Sequence, residues 1–155
     1  MTTSAGSLRK GRRYRPILRY QHHRRVCPDF AQLLKKKGII ADTGHIIYAD
    51  VAGITELYVG GKYEEWIARK GLTSLKGIEY FTALTELRCN NNQLTTLDVS
   101  KNTALTVLWC ETNPGKDGIF KITLWPESEL KAEKESWEYN GQPIAVKYLG
   151  KSADP

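Results

Sequence analysis

Several features are scarce or missing in this sequence, and each absence narrows what the chain can do. No apolar run approaches the roughly 18 residues that a membrane-spanning helix needs, so no such span is expected. The 155 residues hold three cysteines, Cys27, Cys89 and Cys110, which form neither a disulfide framework nor a zinc site. There is no Gly-rich phosphate loop, metal-ligand constellation or nucleophile motif. His45 has no His or Cys partner at ligand spacing, and His22 and His23 are assigned no site. The stretch Asp42-Thr43-Gly44-His45-Ile46 lacks the further carboxylates and the closing glutamate of a calcium loop. The expectation is a protein that is not an enzyme and carries no metal and no cofactor. A catalytic triad assembled by folding would leave no local signature.

Acid is also missing from the first 26 residues. They hold eight of the 23 Lys and Arg residues: Arg9, Lys10, Arg12, Arg13, Arg15, Arg19, Arg24 and Arg25. All 17 acidic residues come later, so the net charge of +6 arises from this arm. Two readings stand. One is an arm for nucleic acid or an anionic surface, with Tyr14 and Tyr20 as stacking rings. The other is a disordered leader, or a segment outside the mature protein. No hydrophobic segment of a signal peptide follows the charges.

What is present is a repeat. From Leu84 to Asn113 the sequence matches itself at a period of 21 residues: Leu84 with Leu105, Leu87 with Leu108, Cys89 with Cys110, and Asn92 with Asn113. Each copy begins Leu-x-x-Leu-x-Cys-x-x-Asn, the pattern of a leucine-rich repeat. Alternation through Leu87-Arg88-Cys89 predicts a short strand with one buried face. Asn92 and Asn113 form a structural ladder. A buried amide there supplies the donors and acceptor that turn backbone otherwise lacks. One coil cannot bury its own apolar face, so stacked coils must share a core.

The stretch GLTSLKGIEYFTALTELRCNNNQLTTLDVSKNTALTVLWC resembles the bacterial leucine-rich-repeat proteins of the Bacteroidetes type, over about Gly71 to Asn113 and more loosely from Asp29 to Val59. The resemblance implies a secreted or cell-surface binding protein without catalytic residues, and this chain would be a short or truncated member.

The rest of the chain fits around that array. Residues 27–53 are expected to form an N-terminal helical cap, with Phe30, Leu33 and Leu34 on one face and Gly38 ending the helix. Residues 54–124 carry the repeats. Ile54, Leu57 and Val59 correspond to Leu84, Leu87 and Cys89, in a first coil lengthened to 30 residues by KYEEWIARK. That insert is read as a short helix with Trp66 in the core. Pro114 to Gly118 is a turn cluster. Ile119, Ile122 and Leu124 repeat the strand spacing, so FKITL is expected as the fourth and last strand of the array. Residues 125–150 form a C-terminal cap, with a hairpin turning at Asn140-Gly141. Residues 151–155 are a frayed tail. The expected fold is an α/β solenoid: a short leucine-rich-repeat array with parallel strands, an N-terminal helical cap and a C-terminal β-hairpin cap.

Cys89 and Cys110 are inward positions that suit small apolar residues, and free buried thiols are expected over a disulfide. The outward strand positions form the candidate site. Its middle column is Tyr58, Arg88, Trp109 and Thr123. Glu56, Glu86 and Val107 flank it on one side, Asn90 and Glu111 on the other. Tyr, Arg and Trp are enriched in binding hot spots, though Arg88 between two rings would also form cation–π contacts that stabilise the surface. The leading expectation is recognition of a protein or glycan through this face. The alternative is nucleic-acid or anionic-surface binding through the basic arm.

Overall fold

The computed structural model describes residues 26–44, 46–60, 71–130 and 136–150. The basic arm, His45, the KYEEWIARK insert with Trp66, and the last five residues lie outside these.

Among the described residues, two α-helices and seven strands follow one another. Helix α1 spans Pro28–Lys36 and the short α2 spans Tyr48–Val51. Strands β1 (Glu56–Tyr58), β2 (Glu86–Arg88), β3 (Thr96–Asp98) and β4 (Val107–Trp109) come next. They are followed by β5 (Ile119–Thr123), β6 (Ser136–Tyr139) and β7 (Gln142–Leu149). Together they make a small β-solenoid of about three turns with parallel strands and few helices.

The repeat sets the register. In the first sheet β1, β2 and β4 run parallel, with Leu57, Leu87 and Leu108 in line. These leucines point inward, together with Val59, Cys89 and Cys110 one pleat further on. The core continues through Leu72, Leu75, Leu94, Leu97 and Val99, which the chain meets on its way round each coil.

The fourth strand departs from the sequence expectation. β5 is parallel, but it pairs with β3 in a second sheet ordered β3-β5-β7-β6, and Thr123 stands opposite Asp98, not beside Trp109. The spacing used to place it is ambiguous. Leu94, Leu97 and Val99 share the same i, i+3, i+5 pattern, so it marks both faces of a coil. The turn after Asn113 decides between them. Gly115 donates its N–H to Leu94 O at 3.1 Å, and Lys116 and Ile119 close a bridge. Gly115 has φ +63, and a Cβ there would stand 2.4 Å from Ile119 O, so only glycine allows the chain to double back so closely. β5 therefore starts on the far face. Ile119, read as inward, is exposed; Phe120, Ile122 and Leu124 fill the core instead.

At the N-terminus, Pro28 opens α1 at a position where its missing N–H costs nothing. Phe30, Ala31, Leu33 and Leu34 are buried, and the Phe30 ring packs 6.2 Å from that of Phe81. Gly38, at φ +73, follows the helix. At the other end β6 and β7 form the expected hairpin, with Tyr139 opposite Gln142. Asn140 and Gly141 both take positive φ, 50° and 74°, as a type I′ turn requires. β7 also pairs in parallel with β5, a long-range contact that the hairpin pattern did not announce. Trp137 anchors the hairpin: its indole Nε1–H donates to Asn113 O at 3.1 Å and its ring lies 5.3 Å from Phe120.

Candidate functional site

The site is built on three strands of three residues each. Alternation places Leu57, Leu87 and Leu108 inside, and so turns Glu56 and Tyr58, Glu86 and Arg88, and Val107 and Trp109 outward in matched rows. Tyr58 is 43% exposed and the Arg88 side chain 45%.

The middle column is a stack. The Arg88 guanidinium carbon lies 4.9 Å from the Tyr58 ring centroid and 4.9 Å from that of Trp109. That distance is close to the roughly 4.8 Å between neighbouring strands, so the stack rises in step with the backbone ladder. Both aromatic faces present their negative quadrupole to one cation. The flanking column fixes the orientation. Arg88 Nε–H donates to Glu86 Oε1 at 2.6 Å, and the Tyr58 hydroxyl donates to Glu56 Oε2 at 2.7 Å. The bond to Glu86 raises the Arg88 pKa further above its ordinary value, and the bond to Glu56 raises that of Tyr58. Arg88 stays charged and Tyr58 neutral throughout the physiological range.

The third column behaves differently. Asn90 is half-buried against the neighbouring coil: a Cβ on Gly60 would stand 2.9 Å from Asn90 Oδ1. Glu111 is half-buried, and its carbonyl accepts the N–H of Asn91 at 3.0 Å. Val107 replaces the glutamates of the first two coils and is exposed. Tyr58, Arg88, Trp109 and Glu86 thus share the register of the three strands, while Asn90 and Glu111 lie just beyond the ends of β2 and β4. Thr123 belongs to the other sheet.

Beneath the face lies the asparagine ladder. Asn92 Oδ1 accepts the Leu72 N–H at 2.9 Å, while its Nδ2 donates to Val59 O at 2.8 Å and Cys89 O at 3.0 Å. Asn113 repeats this one coil on, accepting from Leu94 and donating to Cys89 O and Cys110 O. Each amide ties two coils together.

A threonine ladder and one buried asparagine escaped the sequence reading. Thr85 Oγ1 donates to Thr55 O at 3.0 Å, and Thr106 Oγ1 to Thr85 O at 3.2 Å. The signal was present, since a threonine follows Ile54, Leu84 and Leu105 in every copy. Asn102 is fully buried and donates to Ile78 O at 2.8 Å and Phe81 O at 3.0 Å. Its place in DVSKN was visible, but not that the coil closes over the turn at Ile78–Tyr80.

Cys89 and Cys110 are free thiols, pushed well above the usual range by burial, and so poor nucleophiles. Among the described residues no group of three or more His, Cys, Asp or Glu could hold a metal ion, and no helix is long and apolar enough to cross a membrane. No protein family matches this sequence, and no curated protein or solved structure matches it.

Proposed function

We propose that this chain is a non-catalytic recognition module of the leucine-rich-repeat type that binds a protein or glycan through its exposed strand face. In this reading α1 and the β6–β7 hairpin are the caps that shield the two ends of the core, and the protein works outside the cell or at its surface, as the sequence resemblance implies. The observation that carries it is the Tyr58–Arg88–Trp109 stack. Three large side chains are held on one sheet, with the guanidinium oriented by Glu86 before any ligand arrives. Side chains ordered in advance lose little entropy on binding, which is how a small face gains affinity.

The test compares the full chain with the Arg88→Ala/Trp109→Ala variant on a glycan array and in pull-downs, with circular dichroism to confirm that both fold. A ligand held by the first and lost by the second supports the strand face. Equal retention by both proteins would sink the reading.

The second reading is nucleic-acid binding through the basic arm, favoured by its eight cations and no acid. It expects affinity to fall steeply with salt and to vanish when residues 1–26 are removed.

A further inference from the structure

A cavity of about 410 Å³ opens along the outer edge of the second sheet, well within the roughly 300–1,000 Å³ of small-molecule sites. It exists because two successive coils part company. Gln93 N–H still bonds Leu72 O at 2.8 Å, but beyond that point the earlier coil swings away. Its Lys76 carbonyl accepts the Cys27 N–H, and Ile78–Tyr80 winds into a 3₁₀ turn. β3, an edge strand of its sheet, is left facing a gap.

The two walls carry matched charges. Lys76 and Glu79 stand on the loop side, Asp98 and Lys101 on the β3 side, above Leu75 and Leu97. Among the described residues no ion pair joins any of these four. The carboxylates are positioned by backbone and hydroxyl groups. Asp98 Oδ1 accepts the Ser100 N–H at 3.0 Å and its Oγ–H at 2.6 Å, and Glu79 Oε2 accepts the Gly77 N–H at 2.8 Å. Each keeps its second oxygen, and each lysine has three N–H donors.

We propose that this cavity binds a free α-amino acid with a short aliphatic side chain, as the zwitterion. Its carboxylate sits between Lys76 and Lys101, its ammonium between Asp98 and Glu79, and its side chain over Leu75 and Leu97. Each ligand charge then meets one counterion from either wall. An anion alone would face two carboxylates, and a cation alone two ammonium groups. A neutral ligand would engage none of the four charges. The proposal is independent of the strand face, which belongs to the other sheet.

The experiment follows amide shifts of the full ¹⁵N-labelled chain at low salt, titrated with leucine, N-acetylleucine and leucinamide. Leucine should give saturable shifts confined to residues 74–79 and 96–101, and each blocked form should bind about tenfold more weakly. Asp98→Asn keeps an acceptor for Ser100 but loses the charge. It should weaken leucine and leucinamide by about two- to fivefold and leave N-acetylleucine unchanged, while Lys101→Gln should do the reverse with the blocked forms. No saturable shift with leucine in the millimolar range, or equal binding of all three compounds, overturns the proposal.

Discussion

Thr112 occupies the left-handed region at φ 58, where a β-branched side chain crowds its own backbone. One coil earlier Asn91 takes the same conformation at φ 56, and asparagine tolerates it. The repeat therefore contains its own repair. Thr112→Asn is expected to raise stability by about 0.5–1 kcal/mol, read as a higher urea midpoint at unchanged m-value. An unchanged midpoint would mean that neighbouring contacts have relaxed the strain. Asn92 shows the opposite case. Its replacement by alanine strands the Leu72 N–H and the Val59 and Cys89 carbonyls inside the core. A loss of about 3 kcal/mol or more should follow, measured by the same denaturation. The asparagine ladder was legible from sequence because a polar residue kept in register with buried leucines must be satisfying backbone. The strain at Thr112 was not, since nothing in a threonine announces its φ.

Among the elements, the β6–β7 hairpin shows what local pattern can reveal. Its turn follows from Asn140-Gly141, and its inward face from the alternation of Trp137 with Tyr139. Where it docks depends on contacts far away in the chain: β7 against β5, the Trp137 indole on Asn113 O, and the Tyr139 hydroxyl on Gln93 Oε1 at 2.6 Å. Trp137→Phe keeps an aromatic ring beside Phe120 but removes the indole donor. It should cost about 1 kcal/mol, with near-native circular dichroism. Trp137→Ala should cost about 3–5 kcal/mol by leaving a void under the hairpin. Equal costs for the two would show that the hydrogen bond, not the ring, holds the hairpin down. β5 illustrates the limit of the same method. Its spacing fits either face of a coil, and Gly115 settled the choice through a backbone contact that spacing does not encode.

Across the whole molecule, Cys89 and Cys110 report on the integrity of the stack. Both are sealed in the core between adjacent coils, and burial lifts both thiols well above their ordinary range. A raised folded-state pKa means that the native state holds its protons more tightly than the unfolded chain. The resulting stability is complete below the unfolded thiol pKa of about 8.5 and is lost as pH rises above it. Wild-type stability should therefore fall with pH above about 8.5, each thiol contributing up to about 1.4 kcal/mol per pH unit. The Cys89→Ala/Cys110→Ala variant should show a shallower slope, although its stability at neutral pH is lower. Identical slopes would mean that the thiols ionise without unfolding.

The sequence alone determined the coil. A 21-residue period of inward leucines, cysteines and asparagines specifies parallel strands, their register and the row of Tyr58, Arg88 and Trp109, because all of these follow from which residues must avoid water. Tertiary structure decided what lies between coils: β5 in the second sheet and the cavity where the coils separate beside β3. Those outcomes depend on how unequal coils stack, and a stacking offset has no representation in hydrophobic spacing along a single turn.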